Sequence, residues 1–267
     1  MAARKLPTPS NTKAGGLPSL SPDTPWPSHL VTGTPLHFLA QVDLASLKNL
    51  GKTASGKAVA STLPSEGLLL FFADMAETYH EFGARRDGLA VATRVVFTSA
   101  PGIERAAPVT MPNIAHTIGK MSGEDDPIDA TVFDRNALVA YAVDTYHGFD
   151  PGYFDRRLNR SDSTRMKGLR DELNFLAFEK LGLSQQIGEA DDSTSARFKI
   201  LGAPEGEDWA EAATARKEGR VLLLEFSGRD LAPVSGVFEE GLFQFWISPE
   251  DLTARRFERA WATANFT

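Results

Sequence analysis

Residues 13–18 read Lys13-Ala14-Gly15-Gly16-Leu17-Pro18, and residues 199–204 read Lys199-Ile200-Leu201-Gly202-Ala203-Pro204. Each is a lysine, two residues, a glycine, one residue and a proline. The same order of features follows both. A loop rich in proline or acid holds Trp26 in the first stretch and Trp209 in the second. A strand-like run comes next, in which Leu39-Ala40-Gln41 aligns with Leu223-Leu224-Glu225. After a polar loop, Glu66-Gly67-Leu68 leads into a second apolar run, and Glu240-Gly241-Leu242 does the same. Gly-Pro loops and apolar strands recur by chance in β-rich chains. Four motifs in one order favour two copies of a single β unit related by approximate twofold symmetry. Each copy has few strands and needs the other to bury a face.

Outward from these motifs, the fold class expected is α+β and sheet-rich, with a helical middle segment. Leu36 to Leu44 alternates with a period of two, placing Leu36, Phe38, Ala40 and Val42 on one side. Leu68 to Phe72 is apolar on both faces, as a central strand is. Arg94 to Thr98, Val221 to Phe226 and Leu242 to Ile247 complete the strands. The clearest helix runs from Ser161 to Leu183. Ser163 serves as its cap, and Met166, Leu169, Leu173, Leu176, Ala177 and Leu181 form one stripe. Ser248-Pro249-Glu250-Asp251 starts a C-terminal helix or turn, with Phe257 and Trp261 on one face. The organisation expected is a flexible lead over 1–12 and one domain over 13–267. Its halves lie at about 13–104 and 198–267, joined by about 105–197.

The chain has 28 basic and 35 acidic side chains, a formal net charge of −7, which disfavours wrapping a nucleic acid. Arg85-Arg86, Arg156-Arg157 and Arg255-Arg256 are isolated pairs and read as solvated surface. The absence of cysteine removes disulfides, thiolate nucleophiles and cysteine zinc sites, and fits a reducing cytoplasm. No apolar run reaches the roughly 20 residues that span a bilayer. The N-terminus lacks the apolar core of a signal peptide. The expectation is a cytoplasmic protein that meets neither membrane nor nucleic acid.

The stretches AGGLPSLSPDTPWP, PLHFLAQVDLASL, LPSEGLLLFFAD, KILGAP, VLLLEF and EEGLFQFWISPEDLTARRF resemble the YwqG-like family of uncharacterised bacterial proteins. The resemblance covers both ends, about half of the residues. It implies a sheet-rich α+β cytoplasmic protein and brings no reaction, so no catalytic residue is carried over.

The motifs of common chemistries are incomplete. Ser65 and Ser235 lack the glycine flanks of a hydrolase elbow. Gly51-Lys52-Thr53 ends like a phosphate loop, but Ser46 stands where the first glycine belongs. The five histidines, His29, His37, His80, His116 and His147, make no zincin motif. Asp144, His147 and Asp150 are spaced for one helix face, yet Gly148 and Pro151 break that helix. Glu124, Asp125, Asp126 and Asp129 lack calcium-loop spacing. No catalytic residue, metal or cofactor is expected.

Four residues stand out for binding. Gln41 and Glu225 occupy matched places in the two repeats and would meet in a shared cleft if their strands cross near the pseudo-axis; His37 lies close to Gln41 in sequence. A structural role in backbone pairing is the plainer reading of both. Trp26, in its proline frame, is either a partner-binding aromatic or a plug at the sheet end. The function expected is a non-enzymatic binding module with a protein partner, in its concrete version an immunity-type protein that neutralises a toxin. The alternative is an enzyme or small-molecule binder with its site between the repeats.

Overall fold

A computed structural model describes residues 11–48, 62–76, 82–114, 130–138, 198–202, 204, 214, 215, 217–231 and 241–265. The helix expected over 161–183, most of the polar loop 48–62, the acidic stretch 123–127, Asp144, His147, Asp150 and Trp209 lie outside the described residues. Within them the chain is sheet-rich, with few and short helices. No helix there is long and apolar enough to cross a membrane.

The first sheet is built from β1 (Lys13–Ala14), β2 (His37–Asp43), β3 (Leu68–Ala73), β6 (Thr93–Thr98) and β7 (Asn136–Ala137), in the order β6-β3-β2-β1-β7. A small hairpin, β4 (Arg85–Arg86) and β5 (Leu89–Ala90), lies between β3 and β6 in the chain. The second sheet holds β8 (Phe198–Lys199), β9 (Val221–Ser227), β10 (Leu242–Ile247) and β11 (Trp261–Asn265), in the order β11-β10-β9-β8. Every pairing is antiparallel. The apolar run of β3 is central: β2 and β6 pair with its two edges, and a core cluster covers each of its faces.

The two sheets share connectivity and register. Lys13 pairs with Gln41 as Lys199 pairs with Glu225. Gln41 then pairs with Leu70 as Glu225 pairs with Gln244. Both inner strands carry an extra residue at the same place: Leu39 in β2 and Leu223 in β9 have no partner in the ladder. A bulge tilts the strand and exchanges its faces. It therefore breaks the uninterrupted alternation expected of Leu36–Leu44. Phe38 lies opposite Phe72, whereas Ala40 lies opposite Phe71, on the other side of the sheet.

The corners leaving β1 and β8 also match. Gly15 and Gly16 have φ of 61° and 69°, and Leu201 and Gly202 have 58° and 85°. Glycine adopts such values freely; a leucine there costs about 1–2 kcal/mol. At Gly15 a Cβ would sit 2.0 Å from the Asp134 carbonyl oxygen, so a side chain is excluded by space as well as conformation. The strand ends agree too. Leu44 N–H donates to the Gly67 carbonyl, and Gly228 N–H donates to that of Gly241.

Alternation sorts the side chains into three layers. Leu69, Phe71, Ala73 and Val95 of the first sheet share one core with Leu224, Phe226, Phe243, Phe245 and Ile247 of the second. Phe71 and Phe245, which hold equivalent register positions, meet edge-on at its centre with ring centroids 5.2 Å apart. On the far face of the first sheet, Phe38, Leu68, Leu70 and Phe72 pack under Leu20, Leu36 and Trp26. On the far face of the second, Leu222, Trp246 and Trp261 pack with Ala90 and Ala215.

The chain end differs from its expected form. Ser248 caps the short helix Pro249–Thr253, accepting from Asp251 N–H at 3.0 Å, with proline at the first helical position as expected. Phe257 sits in a short 3-10 turn, and its ring packs on Phe97 in the shared core. Trp261 begins β11 instead of sharing a helix face with Phe257. The cross-strand ladder with β10 outweighs local helix preference here, because it satisfies five residue pairs in register.

Candidate functional site

Position 41 is fully buried on the outer face of the first sheet, opposite Leu70. Ser19 N–H donates to Gln41 Oε1 at 3.0 Å, and Gln41 Nε2 donates to the Asn11 carbonyl at 2.8 Å. These two partners fix the amide orientation, since a backbone N–H needs the oxygen and a carbonyl needs the NH2. Gln41 thus fastens the loop carrying Trp26 to β2. Its neighbour Lys13 is buried too, and its ammonium pairs with Glu104, which also accepts from Arg135 at 2.9 Å. The hydrogen bond from Lys13 is the main cause that holds the Glu104 carboxyl below its ordinary range.

The equivalent position in the second sheet is charged. Glu225, 2% exposed, pairs with Lys199 through one oxygen and accepts from Gln244 Nε2 at 2.7 Å through the other. A carboxylate with two donors suits this place as an amide with a donor and an acceptor suits the first. Gln41 and Glu225 do not meet. They project from the faces of the two sheets that point away from the shared core, and each binds partners on its own side. Among the described residues, aromatic and aliphatic side chains of the core stand between the sheets.

His37 is 1% exposed and uses both ring nitrogens. Met75 N–H donates to Nδ1 at 3.2 Å, so Nε2 carries the proton and donates to the Pro112 carbonyl at 3.0 Å. The ring also packs edge-on against Phe133. Burial lowers its pKa below 6.5, while the Pro112 carbonyl and Asp74 oppose that shift in part. His37 therefore acts as a neutral staple joining β2 to the loops around Met75 and Pro112.

Trp26 donates its indole N–H to the Leu36 carbonyl at 2.8 Å and lays its ring edge on Phe72. With Gly16, Phe38, Ala107, Met111, Thr131 and Val132 it lines a cavity of about 10 Å³. That is room for about one water, too little for a metabolite. The geometry is that of a plug over the sheet.

Sequence reading missed a cluster on the second outer face. Trp261 is nearly buried, and the guanidinium carbons of Arg85 and Arg220 lie 4.8 and 4.6 Å from its ring centroid. Arg220 also bonds Glu218 through Nε at 3.1 Å. No spacing rule links residues so far apart in the chain. A tryptophan opening an edge strand and a short arginine hairpin were the signals present. Among the described residues, no three metal-ligating side chains gather.

A family model described as a domain of unknown function (DUF1963) matches residues 12–265, and the chain belongs to that family. No curated protein matches the chain.

Proposed function

We propose that this member of the DUF1963 family is a YwqG-like, bacterial, cytoplasmic protein that works by binding another protein and not by catalysis. The observation that carries the reading is a loop of exposed apolar side chains on a pinned backbone. Ile103 is 88% exposed and Val109 fully so. The same loop is tied to the N-terminal segment: Arg105 N–H donates to the Pro18 carbonyl at 2.9 Å, and its guanidinium donates to the Thr24 carbonyl at 2.6 Å. Gly102 lies against the Leu20 carbonyl, where a Cβ would come within 2.1 Å. Apolar side chains held ready in this way lose little entropy on docking. The net charge of −7 suits a basic partner. Neutralisation of a toxin is the concrete form of the proposal.

An origin by duplication belongs to the same reading. The shared registers, the paired bulges at Leu39 and Leu223 and the matched positive-φ corners support it. The Phe71–Phe245 contact supports an approximate twofold axis, since a residue meets its own equivalent only near such an axis.

The test is quantitative capture from the native host with the full chain and with the double variant Ile103→Asp, Val109→Asp. The proposal expects a stoichiometric protein partner that the variant, at unchanged Tm, no longer retains. Recovery of no stoichiometric partner, or equal retention by the variant, contradicts it.

A further inference from the structure

We propose that Arg85, Arg220 and Arg259 form a binding site for a phosphate dianion, free or as the terminal group of a small molecule. This inference does not depend on the protein-binding reading. Two guanidinium groups contact one indole, with the Arg85 and Arg220 carbons 4.8 and 4.6 Å from its ring centroid. Guanidinium groups bind phosphate through paired, charge-assisted N–H donors. Stacking uses the flat face of a guanidinium and leaves its N–H edge free to donate. The side chain of Arg85 is exposed and makes no hydrogen bond or ion pair with any described residue.

A third cation comes from the segment just before Trp261. Arg259 is exposed, and its Nη1 lies 3.1 Å from where a Cβ would stand at Gly88, in the turn of the β4–β5 hairpin. Gly88 has φ of 78°, so glycine serves both the turn and this close approach. Four acids adjoin the cluster. Glu218 holds only the Nε of Arg220, Asp87 lies 4.0 Å from Arg86, Glu258 acts on Arg94, and Asp251 feels the charge of Arg259. None of these contacts engages Arg85. Like charges gathered around one ring repel, and a dianion among them turns that repulsion into attraction. Oxygens spread over a tetrahedron suit donors arriving from several sides better than a single flat carboxylate does.

The test is an NMR titration of the full chain with inorganic phosphate, following the Trp261 indole N–H against sodium chloride at matched ionic strength. The proposal expects a saturable shift with phosphate only. Arg85→Gln and Arg259→Gln should each weaken binding about tenfold, the loss of one charge-assisted contact. Arg86→Gln should leave it unchanged. The exposed Arg259 side chain makes no hydrogen bond with a described residue, and its backbone bond to the Arg256 carbonyl is kept in the variant, so Arg259→Gln remains informative if Arg85→Gln is unstable. Tighter binding of a simple phosphate monoester would identify an esterified ligand, and tighter inorganic phosphate a free one; both support the site. A shift that chloride reproduces, or wild-type affinity in Arg259→Gln, overturns it.

Discussion

At position 41 the chain requires a group that both donates and accepts, and at position 225 one that only accepts. Gln41 faces a backbone N–H and a carbonyl, whereas Glu225 faces an ammonium and an amide NH2. Exchanging the two chemistries should therefore fail in both directions. Gln41→Glu would set a carboxylate against the Asn11 carbonyl inside the fold. It is expected to cost about 2–3 kcal/mol in urea denaturation at pH 7. Glu225→Gln would remove the carboxylate charge that Lys199 pairs with, with an expected loss of about 1–3 kcal/mol.

His37 gives a pH signature at the same scale. Its pKa in the folded protein lies below the ordinary 6.5. Above that value both folded and unfolded chains hold a neutral ring. As pH falls below it, the unfolded chain takes up a proton that the folded chain refuses, so stability falls, and this loss levels off below the folded pKa. The urea midpoint should drop between pH 7 and pH 5, and His37→Gln should remove much of that slope. An unchanged slope would mean that other groups set it. The prominence of Gln41 and Glu225 was legible from their matched places. Their separation was not, because the alignment gives register within a sheet and says nothing of which face turns inward.

Among the elements, the corner at Gly15 and the cap at Ser248 carry separable stability. Gly15→Ala forces a methyl group into the Asp134 carbonyl at φ of 61°, and should lower stability by more than about 2 kcal/mol. Ser248→Ala removes the acceptor for Asp251 N–H and should cost about 1 kcal/mol, read as a lower Tm. The strands were legible because their apolar runs are long and bounded by turn residues. The bulges were not, since a single extra residue leaves composition unchanged while it exchanges faces. The chain end was misread at Trp261 for a related reason. Spacing of four fits a helix, but the ladder between β10 and β11 is a non-local interaction.

For the molecule, the decisive feature is one core fed by both sheets. Phe71 and Phe245 are both wholly buried, and each ring contributes about 1.5–3 kcal/mol through burial. Their edge-on contact adds about 0.5–1.5 kcal/mol. The repeated motifs at Lys13 and Lys199 already marked equivalent strands. What they left unread was the mode of association. Equivalent positions meet through aromatic rings in the shared core, and the polar pair expected there lies on the outer faces.

The most direct measurement of this account is a double-mutant cycle in urea with Phe71→Leu and Phe245→Leu. A single cooperative transition is predicted for the native chain, with each variant destabilised and a coupling of about 0.5–1.5 kcal/mol between them. Two separate transitions, or strictly additive losses, would contradict a core shared by the two halves.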